Sequence, residues 1–168
     1  MRLRASLALQ LALVGAAAAQ PFGHPGLVGL RPLPARLAAA DVVAVVRVER
    51  VEEGRIALAL EDALVGAPPA AFEVKRSPLH PPPLATGDRA LLLLRGARPP
   101  YVLADEPSEV IRLADAGMAA RWTSAVRATL AHRDDPAALA KLYREWTENG
   151  PESLRELGAA GLATFPAH

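Results

Sequence analysis

Apolar and polar residues alternate with a period of two along the first half of the chain, a pattern that predicts β-strands. Within residues 41–52, the run 42–46 is continuously apolar and the residues after it mix valine with charged residues. We therefore expect a first strand that is buried on both faces at its start. Alternation around Leu58 and Phe72 predicts a second and a third strand. The unbroken run 90–94 predicts a buried fourth strand, and residues 101–104 predict a fifth.

After Pro107 the apolar period changes from two to 3.6 residues, which predicts helices. A first helix carries apolar residues on one face, namely Met118, Trp122, Val126 and Leu130. Asp135 followed by Pro136 is typical of a helix start and predicts a second helix there. A third helix follows the stop at 149–151, and its glycines predict close contact with a neighbouring helix.

The pattern also predicts where three apolar side chains lie. Val46 is expected to point inward on the doubly buried first strand. Trp122 and Trp146 lie on apolar helical faces, so we expect them to pack in the core. The alternative is that one tryptophan is exposed and anchors a partner, because tryptophan is enriched in binding hot spots.

The amino-terminal residues have the features of a signal peptide. Arg2 and Arg4 precede an apolar run over 5–15, and small residues follow at 16–20. The run is too short to span a bilayer, which takes about 20 apolar residues. We expect cleavage close to Gln20 and a mature protein that is periplasmic or secreted.

Short strands closely spaced along the chain favour a small barrel, because closure protects strand edges. The order is a strand near residues 40–43, a strand that ends in Leu64-Val65-Gly66, and Gly87-Asp88 before the next strand. This order resembles the OB-like, netrin/tissue-inhibitor-like barrels of bacterial exported proteins, over about residues 35–105. The animal inhibitors of that group chelate protease zinc through an amino-terminal cysteine. The chain has no cysteine, so that activity is not implied.

Together these patterns predict an α+β fold in which a small five-stranded OB-like β-barrel precedes a three-helix carboxy-terminal segment. The expected organisation is a signal peptide (1–19), a Pro/Gly-rich linker (20–34), a barrel-like domain (35–107) and a helical segment (108–168).

Composition and charge narrow the classes of partner. The 168 residues are 51% hydrophobic, which is enough for a core. The net charge of +1 becomes about −1 without Arg2 and Arg4, since 17 basic and 18 acidic residues remain. This balance argues against nucleic-acid binding. Without cysteine there are no disulfides, no thiolate chemistry and no lipoprotein anchor. Arginine dominates the basic residues, which indicates either anion recognition or GC-rich coding.

The residues with side chains suited to catalysis or metal binding do not form a recognisable sequence motif. The four histidines, at 24, 80, 132 and 168, are far apart, and Ser77 and His80 share a proline-rich loop. The acidic pairs 52–53, 61–62 and 105–106 are interpreted as solvated turn residues, and Asp88 as a turn residue that fixes register. No catalytic, cofactor-binding or metal-binding residues are assigned, and no cofactor is expected.

The function that these observations favour is an exported, non-enzymatic protein-interaction module whose partner is another envelope or extracellular protein. Neither nucleic-acid binding nor a stable membrane span in the mature form is expected. The alternatives are a small hydrolase or metal-dependent enzyme with a sequence-dispersed site, and a carbohydrate- or lipid-binding module.

Overall fold

A computed structural model describes residues 31–105 and 110–165. The predicted signal peptide, most of the linker and the cleavage site near Gln20 lie outside the described residues. The described residues form six strands and four helices: α1 (Leu33–Ala38), β1 (Val42–Glu52), β2 (Arg55–Val65), β3 (Ala71–Lys75), β4 (Arg89–Arg95), β5 (Val102–Leu103), β6 (Ile111–Arg112), α2 (Ala116–Ala131), α3 (Pro136–Asn149) and α4 (Glu152–Leu162). The α+β class and the three carboxy-terminal helices agree with the prediction.

The strands form an antiparallel sheet in the order β3-β2-β1-β4-β5, and β6 pairs with β4 beside β5. A tight turn at Gly54, where φ is +78°, joins β1 to β2. The ends of the sheet approach each other at a parallel bridge between Val74 and Tyr101. There the amide of Lys75 donates to Tyr101 O (2.8 Å), and the amide of Tyr101 donates to Glu73 O (3.0 Å). The strand order is nevertheless that of an open sheet.

Strand β1 separates two apolar clusters, because its side chains alternate between the two faces of the sheet. Val42, Ala44 and Val46 face an inner cluster with residues from β2, β3 and β4. Val43 and Val45 face an outer cluster that includes the three carboxy-terminal helices. These five residues are all buried, and Val46 has no exposed surface. The predicted burial of Val46 is confirmed.

The helices begin and pack as their sequence indicates. Asp115 Oδ1 accepts from the amide of Met118 (2.7 Å) at the start of α2, and Asp135 caps α3 in the same way. Both tryptophans are buried, so their predicted core positions are confirmed. A Cβ atom at Gly161 would lie 2.5 Å from the Tyr143 ring, which explains why α4 carries a glycine where it meets α3. No helix in the described ranges has the length and apolar character of a membrane span.

Two elements were not predicted from the sequence. Helix α1 begins at Leu33, inside the predicted linker, and it buries Leu33 and Arg36. Strand β6 was also missed, because it lies inside the segment 108–168 that was expected to be helical. The guanidinium of Arg36 forms two hydrogen bonds with the Asp105 carboxylate, Nε to Oδ1 at 3.1 Å and Nη2 to Oδ2 at 2.6 Å. The interpretation of Asp105 as a solvated turn residue is therefore wrong, because its side chain is only 3% exposed.

Candidate functional site: an arginine-lined depression

A depression of about 800 Å³ lies where the loop before β4 meets β1, β4, β6 and the start of α2. It is open to solvent and mixes charged with apolar side chains. We call it the arginine depression. Its lining residues are Arg47, Pro83, Gly87, Asp88, Arg89, Val110, Arg112, Leu113, Ala114 and Met118.

Strand register brings Arg47 and Arg89 together on one face of the sheet, whereas Arg112 lines the depression from β6, where alternation places it on the other face. Arg47 on β1 lies directly opposite Arg89 on β4. Arg112 on β6 lies opposite Ala90, the next residue along β4. Like charges directly opposite each other destabilise a sheet. The pair formed by Arg47 and Arg89 therefore needs a nearby counter-charge.

Glu61 on β2 supplies that counter-charge. Its Oε1 accepts hydrogen bonds from Arg47 Nε (3.1 Å) and Nη2 (2.9 Å), and from Arg89 Nη2 (3.2 Å). Partial burial of the Glu61 carboxyl raises its pKa, but the hydrogen bonds and positive charges of Arg89 and Arg47 outweigh this effect. The net result is a pKa below the ordinary glutamate value, so Glu61 is ionised at neutral pH. One carboxylate thus holds two guanidinium groups.

Arg112 differs from the other two arginines because its exposed side chain has no hydrogen-bond or ion-pair partner among the described residues. The one carboxylate in the lining, that of Asp88, is engaged in the preceding turn, where its Oδ2 accepts from the amide of Ala85 (2.9 Å). This bond confirms the interpretation of Asp88 as a turn residue. The guanidinium of Arg112 is therefore available to a ligand.

A second, smaller depression of about 260 Å³ lies among α2, α3 and α4. It is mainly apolar, and its charged lining residue is Arg121. Trp146 lines this depression but is itself buried.

Where the structure describes them, the other candidate residues from the sequence are not brought together into one cluster. Ser77 Oγ accepts from the backbone amide of His80 (3.3 Å) in an exposed loop, and this contact involves no imidazole nitrogen. His132 lies at the end of α2, whereas His24 and His168 lie outside the described residues. Residues 31–105 and 110–165 contain no cluster of three or more His, Asp or Glu residues placed to hold a metal ion.

The acidic pair Glu61-Asp62 was interpreted as part of a turn, and the structure corrects this. Both residues lie within β2, and Asp62 Oδ2 accepts from Arg127 Nη2 (3.1 Å) on α2. The sequence did not indicate the association of Arg47, Arg89 and Glu61 either. Arg47 lies 14 residues and Arg89 lies 28 residues from Glu61 along the chain. These separations indicate contact only once the strand pairing is known.

Comparison of the chain with protein-family models, with curated proteins and with solved structures gives no significant match. The resemblance to netrin/tissue-inhibitor-like barrels thus stays an interpretation of the motifs within residues 35–105. A functional assignment has to rest on the chemistry of the chain's own side chains.

Proposed function

We propose that the protein is an exported, non-enzymatic module that binds another envelope or extracellular protein through the arginine depression. The observation that carries this proposal is an open, concave surface with three guanidinium groups and apolar neighbours, among them Met118 and Leu113. Arginine and methionine are enriched at protein interfaces, where lysine is depleted. Arginine suits this role because its planar guanidinium offers five hydrogen-bond donors in a fixed geometry.

We also propose that the sheet curls into a small OB-like barrel of the netrin/tissue-inhibitor-like type. The bridge between Val74 and Tyr101 supports this proposal, because it joins the two ends of the strand order. The Phe72 and Tyr101 rings meet edge to face across the same seam, with centroids 5.4 Å apart. A curled sheet would enclose the inner apolar cluster and present its loops, including the rim of the arginine depression, to a partner.

Export is a separate part of the proposal with its own test. Mature protein from the native host is expected to begin at Gln20 or within about two residues of it, because residues 17–19 are all alanine and satisfy the small-residue cleavage preference. Intact-mass measurement of the protein recovered from the envelope or culture medium checks this. A mass that retains Met1 would contradict export by this signal.

Binding to a partner is tested by affinity capture from the native envelope fraction with tagged protein. We expect the wild type and an Arg144→Glu control, which changes an exposed arginine on α3, to retain the same partner. Arg112→Glu is expected to lose it, because a negative charge would then stand in the depression. The retained protein is identified by mass spectrometry, purified and titrated calorimetrically against all three variants. Equal retention by all three, or no binding of the purified partner, would refute the proposal.

A further inference from the structure

We infer that the arginine depression binds an acidic peptide segment, through the carboxylates of its Asp and Glu side chains, and that Glu61 acts as an internal competitor for that segment. This inference rests on the proposed function because it names the chemistry of the partner at the same site. It also gives Glu61, which is not among the lining residues, a role in setting affinity.

The first argument is that the site already holds a carboxylate. Arg47 and Arg89 both donate hydrogen bonds to the side chain of Glu61. Guanidinium groups match the planar geometry of a carboxylate through paired N–H donors. The Arg47 side chain is 56% exposed, so part of its donor set faces solvent while the rest contacts Glu61. An incoming carboxylate would therefore meet a guanidinium whose position is already fixed.

The second argument concerns the net charge of the arginine depression and the number of its arginines. The lining contains three arginines and a single carboxylate, that of Asp88. Counting Glu61 together with the lining residues, three arginines stand against two carboxylates, which gives this set of residues a net charge of +1. A single exposed ion pair is weak in water, so one ligand carboxylate alone would bind weakly. A segment with several acidic residues contacts Arg112 and Arg47 at the same time. The sum of these weak contacts gives a measurable affinity.

The third argument is that Glu61 affects the affinity for a ligand as well as the stability of the fold. Any ligand carboxylate that approaches Arg47 or Arg89 must compete with the one already bound there. Neutralising Glu61 would release donors on both arginines and add one unit of positive charge to the site. The same change would leave two like charges opposite each other on β1 and β4, which lowers stability. Affinity for an acidic segment and stability are therefore expected to change in opposite directions.

The test uses purified full-chain protein and fluorescence anisotropy with two labelled probes, hexaglutamate and hexaglutamine. The wild type is expected to bind hexaglutamate and not hexaglutamine, with an affinity that falls as salt is added. Arg112→Gln should weaken hexaglutamate binding about two- to fivefold, the range expected for losing one exposed ion pair. Arg144→Gln is the matched control and should bind as the wild type does. Glu61→Gln should bind several-fold more tightly and melt at a lower temperature.

Four outcomes would overturn the inference. Equal binding of the two probes would exclude recognition of carboxylates, and equal effects of Arg112→Gln and Arg144→Gln would exclude this site. Inorganic phosphate that displaces the probe far better than acetate at equal ionic strength would assign the depression to phosphate instead. Weaker binding by a folded Glu61→Gln variant would refute the competition. If that variant does not fold, Glu61→Asp replaces it: the shorter side chain holds Arg47 and Arg89 less closely, so this variant must bind hexaglutamate more tightly than the wild type.

Failure of this inference is distinguishable from failure of the proposed function. Hexaglutamate binding that depends on Arg112, without any partner recovered from the envelope, would uphold the acidic-ligand site and refute the protein-interaction role. A recovered partner whose binding depends on Arg112, together with equal binding of hexaglutamate and hexaglutamine, would refute the acidic-ligand inference and uphold the protein-interaction role.

Discussion

Replacement of Val46 by aspartate is expected to unfold the protein. Val46 lies at the centre of the inner cluster, paired with Leu60 on β2 and Ala90 on β4, and has no exposed surface. A buried carboxylate without a partner costs several kcal/mol, which is comparable with the total stability of about 5–15 kcal/mol typical of a domain. Circular dichroism and urea denaturation of the purified variant measure the loss.

The matched control is Val102→Asp, the same chemical change at a strand residue that is exposed. We expect this variant to remain folded, with a urea midpoint close to that of the wild type. A soluble Val46→Asp protein with a cooperative transition at the wild-type midpoint would show that Val46 is not in the core.

Removal of the Asp105 carboxylate is expected to have the second largest effect on stability. The Arg36 side chain is 1% exposed and would lose both hydrogen bonds with Asp105. Breaking a buried ion pair by removing one partner costs roughly 3–5 kcal/mol, because a charge stays buried with less compensation. Asp105→Ala should therefore shift the urea midpoint strongly, and it should loosen α1 from the end of the sheet.

Two controls separate this effect from a general loss of charge. Asp62→Ala removes an exposed pair with Arg127 and should change the free energy of unfolding by less than about 1 kcal/mol. The double variant Arg36→Met/Asp105→Leu removes both charges and should recover much of the lost stability. A free energy of unfolding for Asp105→Ala within 1 kcal/mol of the wild type would contradict the structural role of the pair.

The sequence predicted the elements that carry a clear period. Strands β1 to β4 and helices α2 to α4 are long enough for apolar residues to repeat several times, and Asp135 with Pro136 marks a helix start by local chemistry. Helix α1 has six residues, and its stability comes from burial of Leu33 and Arg36 rather than from local propensity. Such an element is visible only once its contacts are known.

The candidate site was beyond sequence reasoning for a related reason. Arg47, Arg89 and Glu61 lie on three different strands, and only the pairing of β1 with β2 and β4 brings their charges together. Arginine was abundant throughout the chain, so no single arginine was distinguished by its type. Closure of the sheet into a barrel could not be predicted for the same reason, since closure depends on long-range pairing that a pattern of alternation does not specify.

The central position of β1 has a consequence for the chain before it has folded. Residues 42–46 read Val-Val-Ala-Val-Val, an uncharged segment of high β-propensity, and both of its faces are covered in the native state. The hairpin of β1 and β2 forms from neighbouring residues, but β4, which pairs with Val42 and Val46 along the other edge, lies more than forty residues further along the chain. Until β4 has been synthesised and has closed that loop, the segment has an open edge that favours self-association. A nascent chain would therefore be most vulnerable to aggregation during that interval, and a chaperone that covers β1 would protect it.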